Sequence, residues 1–305
     1  MTLFEQLAAL ATEAINPATM EIDVASARQI VEMLNEQDKT VANAVAMELD
    51  YIAQAVELIV DRLSRGGRLI YVGAGTSGRL GIVDASEMPP TYGTNPDLVL
   101  GVIAGGERAV FRSVEGAEDS PEAGVKALVD HHVSDLDVIC GISASGRTPF
   151  VLGALQHASA LGCATVFVST NTRKIVERYS PDTSLLICPV VGPEPITGST
   201  RMKSGTAQKM VLNMLTTATM VKLGKTYGNV MVDLQLTNQK LHERAKRIIT
   251  TITGLDYDHA AQLLQHAGGH VKSALVMHVH HCSREEALKR LERANGIVRT
   301  AMESD

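Results

Sequence analysis

The chain has 305 residues, 45% hydrophobic and 20% charged, enough for one large or two smaller domains with a substantial core. A formal net charge of -6, with no Trp and only ten Phe and Tyr together, argues against nucleic acid as a partner and against a base-stacking surface. No apolar run reaches the ~20 residues of a membrane span, and Met1 to Thr19 carries Glu5 and Glu13 without a basic segment, so a soluble cytoplasmic protein is expected.

The first 67 residues read as helices that pack on the core or on a second subunit. Ile30, Val31 and Leu34 mark an amphipathic piece, and Val41, Val45, Leu49, Ile52, Val56, Ile59, Val60 and Leu63 recur at helical spacing until Gly66-Gly67 stops the run. Short apolar runs rich in β-branched residues follow at 68–74, 98–104, 137–143, 164–169 and 185–191, separated by helical patterns. Strand, helix, strand repeated in this way predicts a doubly wound α/β fold with a parallel sheet of about five strands buried on both faces. The helix after Thr200 is long and apolar, through Met210, Val211, Met214, Leu215, Ala218 and Val221, and suits either sheet packing or a dimer interface. From Thr237 onward only helices are expected: 241–251, 258–266, 271–282 and 284–295, with breaks at Gly254 and Gly268-Gly269. The domain reading is therefore N-terminal helices at 1–67, an α/β domain at 68–236 and a helical cap at 237–305.

The most informative stretch is Arg68 to Arg79, a buried strand that breaks into Gly73, Gly75, Thr76, Ser77 and Gly78, with a helix expected directly after. Glycines let backbone approach an anion, hydroxyls and free N–H groups hold its oxygens, and a helix N-terminus adds a favourable dipole. The spacing Gly73, Gly75, Gly78 satisfies the dinucleotide fingerprint, but the fit is poor: the acidic partner needed about 20 residues on would fall near Leu98 to Leu100, inside the next expected strand, with Asp97 before it and Glu107 after it. A nucleotide P-loop fits less well still, because Gly78 is followed by Arg79 and Leu80 rather than Lys and Ser/Thr.

Repetition sharpens the signal. Asp137 to Pro149 repeats the grammar with Ser143, Ser145, Gly146 and Thr148, Ala164 to Thr172 ends another strand in hydroxyls, and Thr197-Gly-Ser-Thr200 precedes the long helix. Four hydroxyl-rich loops at the carboxyl ends of parallel strands suit a ligand with many oxygens, such as a phosphorylated sugar. Two acidic stretches can supply proton transfer: Asp84-Ala-Ser-Glu87, with Glu87 expected near the first cradle, and Glu115 to Asp119, which holds Glu118. Cys140, Cys163, Cys188 and Cys282 read as reduced thiols, His131-His132 as an exposed helix end, and His278, His280, His281 and Cys282 as ordinary helix residues rather than metal ligands.

Several long motifs in order resemble one family over nearly the whole chain: Gly73-Ala-Gly-Thr-Ser-Gly-Arg-Leu-Gly81, Asp84-Ala-Ser-Glu-Met-Pro-Pro-Thr-Tyr-Gly93, Ile103-Ala-Gly-Gly-Glu107, Glu115-Gly-Ala-Glu-Asp119, Ser143-Ala-Ser-Gly-Arg-Thr-Pro149, Thr197 to Lys209 and Asn229-Val-Met-Val-Asp233. The chain resembles the N-acetylmuramic acid 6-phosphate etherases, departing at Met88, where cysteine is usual. The resemblance implies a sugar-isomerase (SIS) domain, a homodimer without cofactor or metal, and cleavage of a lactyl ether in cell-wall recycling. It implies Glu87 as the acid that protonates departing lactate and Glu118 as the base, with Thr76, Ser77, Arg79, Ser143, Ser145 and Thr148 as phosphosugar contacts. Two rivals remain open on sequence alone: an aldose-ketose isomerase of the same fold, and a non-catalytic phosphosugar-binding regulator similar to the glucokinase regulatory protein.

Overall fold

A computed structural model describes residues 11–234, 236 and 239–304. Met1 to Leu10 and Thr237, where the helical cap is expected to begin, lie outside them. After short 3-10 turns at Ala11–Glu13 and Pro17–Thr19, the elements in chain order are α1 (Ala27–Asp38), α2 (Val41–Ala46), α3 (Leu49–Ser64), β1 (Leu69–Gly73), α4 (Gly75–Ser86), α5 (Met88–Tyr92), β2 (Val99–Ile103) and α6 (Glu107–Phe111). They continue with α7 (Pro121–Asp130), β3 (Val138–Ile142), α8 (Pro149–Ala160), β4 (Ala164–Val168), α9 (Arg173–Tyr179), β5 (Leu185–Ile187) and α10 (Lys203–Lys222). A two-stranded hairpin, β6 (Thr226–Tyr227) and β7 (Val230–Met231), precedes α11 (Gln239–Thr253), α12 (Tyr257–His266), α13 (Val271–His280), α14 (Arg284–Arg293) and α15 (Val298–Glu303).

The described chain falls into two units, residues 1–86 with 97–216 and residues 87–96 with 217–305. The first is built on a five-stranded, all-parallel sheet of order β2-β1-β3-β4-β5, as the apolar runs predict. Every residue of β1, β3 and β4 is buried, which is why these segments read as continuous apolar runs rather than alternating ones. Ile70, Val72, Ile139 and Phe167 join Leu128 of α7 and Phe150, Val151 and Leu155 of α8 in one core cluster. This strand order reverses direction between β1 and β3, and a crevice opens outside the carboxyl ends of strands at such a switch point. The loops after β1 and β3 are the two with the cradle grammar.

Three sequence expectations are revised. The helix predicted from Val41 to Leu63 is two, α2 and α3, because Glu48 at the break turns inward to accept from the Arg173 guanidinium at 2.7 Å and the Cys188 N–H at 2.8 Å. The first cradle helix starts at Gly75, not after Arg79, so Thr76, Ser77 and Gly78 form its opening turn. Close contact explains the flanking glycines: a Cβ on Gly73 would lie 2.6 Å from the Gly78 nitrogen, and one on Gly78 2.6 Å from Ile103 Cγ1. His281 ends α13 in the left-handed conformation, outside the helix it was assigned to, while His280 Nε2 bonds the Ala301 carbonyl at 3.0 Å.

The second unit has its own core, in which Val232, Ile249, Leu264, Val271, Leu275, Leu291 and Val298 pack together. Its four predicted helices are present, joined by α15 and the hairpin, whose two-residue Gly228-Asn229 turn is a recognised hairpin signal. Of the four cysteines, Cys140, Cys163 and Cys188 are buried, and all four are free thiols. Burial pushes the Cys163 thiol up to about 11 and the Cys188 thiol up to about 12, so neither is a thiolate near neutrality.

Candidate active site

At the switch point lies a polar cavity of about 480 Å³, whose lining among the described residues belongs to the first unit. Its lining includes the opening turn of α4, with Gly75, Thr76 and Ser77, and the loop after β3, with Ser143, Ser145, Arg147 and Thr148. Both α4 and α8 present N-termini here, so their unsatisfied N–H groups and positive dipole ends favour an anion. Glu118 and Asp119, and Glu13, Gly198 and Thr200, also line it.

The second cradle is ordered by its own hydroxyls. Ser143 Oγ lies 2.7 Å from Thr148 Oγ1 and 3.4 Å from Ser145 Oγ, and it accepts the Gly146 N–H at 3.2 Å. Gly146 has φ of +71°, which turns the loop back so that Ser145 and Thr148 share one cavity. Ser77 is tied from behind, donating to the buried Gln208 Oε1 at 2.9 Å. Arg147 stacks over Tyr179 with 5.0 Å from its guanidinium carbon to the ring centroid.

A buried polar cluster holds the first cradle helix in place. Asp84, only 4% exposed, accepts from Tyr71 Oη at 2.9 Å, Asn213 Nδ2 at 2.7 Å and Thr216 Oγ1 at 3.3 Å. Burial raises the Asp84 carboxyl above its usual range against the pull of these three donors, and raises the Tyr71 phenol well above its own. At the start of α10, the fully buried Glu194 accepts the Lys203 and Ser204 N–H groups at 2.8 and 2.9 Å.

Of the residues singled out by sequence, Thr76, Ser77, Glu118, Ser143, Ser145 and Thr148 come together around this cavity. Arg79 does not line it; it lies on a smaller neighbouring cavity that also contains Glu118. Glu87 belongs to the second unit, where it is the exposed N-cap of α5. The third hydroxyl loop was expected to face the ligand, but Ser169, Thr170 and Asn171 are fully buried. They brace the second cradle instead: Ser169 and Thr170 donate to the Ala144 carbonyl at 3.1 and 3.2 Å, and Asn171 to that of Ser145 at 3.4 Å.

Sequence reasoning passed over Glu13 and Arg147. Arg147 had a signal, since Ser145-Gly146-Arg147 repeats Ser77-Gly78-Arg79. Glu13 had none, lying far upstream of β1; the Gly198 N–H bonds the Thr12 carbonyl at 3.3 Å and so brings it to the cavity.

A family model described as the glucokinase regulatory protein N-terminal SIS domain matches residues 51–159, and one described as the C-terminal lid domain of that protein matches 228–273. The N-acetylmuramic acid 6-phosphate etherase of Salinibacter ruber is 56% identical over 100% of this chain and 97% of its own. The chain belongs to the N-acetylmuramic acid 6-phosphate etherase family. The etherase of Symbiobacterium thermophilum is 57% identical across 89% of both chains, and that of Mycolicibacterium smegmatis 51% across 97% of this chain and 98% of its own. Within this etherase family fold, the first unit carries the SIS topology and the cavity.

Proposed function

We propose that this protein cleaves the D-lactyl ether of N-acetylmuramic acid 6-phosphate with water, releasing D-lactate and N-acetylglucosamine 6-phosphate. The observation that carries the reading is the carboxylate of Glu118 on the wall of a hydroxyl-lined, helix-N-terminal cavity in a chain 56% identical to an etherase over its whole length.

In this reading Thr76, Ser77, Ser143, Ser145 and Thr148 hold the phosphate with the N–H groups of α4 and α8. Binding energy at this remote group then orients C2 and C3 of the sugar. Ring opening exposes an aldehyde at C1, which acidifies the C2 proton and makes the C3 ether oxygen a β leaving group. Glu118 takes the C2 proton, and the electron pair forms the C2–C3 double bond as the C3–O bond breaks. Glu87, the acid implied by the family resemblance, protonates lactate as it departs. Water then adds at C3 of the unsaturated aldehyde and a proton returns to C2. Every step is a proton transfer, an elimination or an addition, so the chemistry calls for no cofactor and no metal.

The resemblance also supports a homodimer working in the cytoplasm on sugars recovered from peptidoglycan. No described helix is long and apolar enough to cross a membrane. A regulator similar to the glucokinase regulatory protein is the second reading, favoured by the two family models of that name. The presence of both Glu87 and Glu118 favours the enzyme.

The deciding experiment supplies N-acetylmuramic acid 6-phosphate to the purified protein in deuterated water. Lactate release with deuterium at C2 of the product is the expected result. Binding without lactate overturns the reading in favour of a regulator, and a ketose product in favour of an isomerase.

A further inference from the structure

Beside the hydroxyl-lined cavity lies a smaller one of about 170 Å³, and Ala74, Gly75 and Glu118 line both. Its polar groups are Arg79, Ser113, Glu115 and Glu118. The half-buried Arg79 donates from Nε to the Val110 carbonyl at 3.0 Å, which fixes the plane of its guanidinium. Its two terminal nitrogens make no hydrogen bond or ion pair with any described residue. The Ser113 hydroxyl donates to Glu115 Oε1 at 2.8 Å, so Glu115 is held within its own turn.

A fixed guanidinium with free terminal donors in a small cavity is a site for a planar, bidentate anion, for which Arg suits carboxylate better than a point charge does. A substrate of the proposed reaction has two anionic ends, a phosphate and the carboxylate of the lactyl group. The larger cavity supplies hydroxyls and helix N-termini for the phosphate. At ~30 Å³ for each water, the smaller one holds the volume of about six, room for a three-carbon hydroxyacid. Glu118 stands on the shared wall, and C2, where it acts, is one bond from C3, which carries the lactyl ether.

We infer that the Arg79 cavity is the subsite for the lactyl carboxylate, so that Arg79 reads the leaving group rather than the phosphate. Glu115 and Glu118 are both exposed at its rim, where water and salt screen their repulsion of the incoming anion. The inference rests on the etherase reading, and it predicts that a substrate whose lactyl carboxylate is an amide is discriminated against.

The test measures binding of N-acetylmuramic acid 6-phosphate and of N-acetylglucosamine 6-phosphate, which lacks the lactyl group, with and without Arg79→Met, in a Glu118→Gln background that preserves the ligand. Loss of one charge-assisted pair predicts about 10- to 100-fold weaker binding of the muramic acid sugar. Binding of the glucosamine sugar should be unchanged, which also shows that the variant is folded. The methylamide of the lactyl carboxylate should bind the Arg79 protein as weakly as the free acid binds the variant, with no further loss when both changes are combined. Equal losses for both sugars would place Arg79 on the phosphate and overturn the inference, as would no loss for either. Lactate assays on the wild type, run alongside, report separately on the reaction itself.

Discussion

Tyr71 in the central strand β1 and Asp84 in the cradle helix α4 are joined by a 2.9 Å hydrogen bond with both side chains buried. The same carboxylate accepts from Asn213 and Thr216 of α10, so one buried anion ties strand, cradle helix and long helix together. Because its partners are hydroxyls and an amide, Asp84→Asn can still accept from Asn213 and donate to Tyr71 Oη. Asp84→Leu cannot, and strands the buried Tyr71 hydroxyl and the half-buried Asn213 amide, at a cost of ~1–3 kcal/mol for the buried one and less for the other. Thermal or urea unfolding should therefore find the Asn variant within about 1 kcal/mol of wild type and the Leu variant several-fold worse. The raised carboxyl sets the pH sign: a native pKa above the unfolded one favours folding at low pH, and this contribution is lost as pH rises through the native value. Asp84→Asn should remove that pH dependence. Equal stability of the two variants would mean that Asp84 does not hold the cluster.

The Gly146 turn makes a second prediction. A Cβ there would sit 3.0 Å from both Ser169 Oγ and Val176 Cγ2, on a backbone with φ of +71°. Gly146→Ala should cost ~1–3 kcal/mol of stability. It should also weaken phosphosugar binding about 10-fold or more by displacing Ser145 and Thr148, for a shift of 1 Å in a binding group can cost far more. Ser143→Ala removes the hub of the same loop without strain. It should raise the KM while leaving the melting temperature nearly in place. A Gly146→Ala protein with wild-type KM would show that this loop does not hold substrate.

The sheet was legible because strands buried on both faces are written as unbroken apolar runs, and all five fall within the predicted spans. The two cradles were legible because anion binding needs Gly, Ser and Thr where a strand gives way to a helix. The hydroxyls of Ser169 and Thr170 have the same one-dimensional appearance as those of Ser143 and Ser145. Only the packing of one loop behind another separates bracing from lining. Glu13 and the break at Glu48 were illegible for a related reason. Each is set by partners more than a hundred residues away, Gly198 for the turn that carries Glu13 and Arg173 with Cys188 for Glu48.

At the amino end of the sheet, Asp137 gathers the Arg68 backbone N–H at 2.9 Å, its guanidinium at 2.7 Å and the Ser134 N–H at 2.9 Å. Burial by itself would raise this carboxyl, but the Arg68 and Ser134 bonds outweigh it and hold it below the usual range. A depressed native pKa gives stability that is complete above the unfolded value, near 3.9, and lost as pH falls through the native one. Acid unfolding followed by circular dichroism should thus find Asp137→Asn less stable than wild type at pH 7 by ~1.5–3 kcal/mol. The gap should narrow toward pH 2. A gap that is constant with pH would mean the charge on Asp137 contributes nothing.

The two glutamates divide the proposed reaction at the C2 proton, and deuterium reads the division directly. If Glu118 is the base, Glu118→Gln should abolish both exchange at C2 and lactate release, since nothing else removes the proton. If Glu87 is only the acid, Glu87→Gln should bind substrate normally and still exchange the C2 proton with solvent. Its lactate release should fall about 10²- to 10⁴-fold, the usual contribution of general acid catalysis. Raising the acidity of the leaving group tests the same point independently: a substrate with a better leaving group at C3 should restore turnover in Glu87→Gln and do nothing for Glu118→Gln. Near-wild-type lactate release by Glu87→Gln would remove it from the mechanism. Exchange surviving in Glu118→Gln would transfer the role of base elsewhere, with Asp119 and Glu13, which also line the cavity, the next residues to replace.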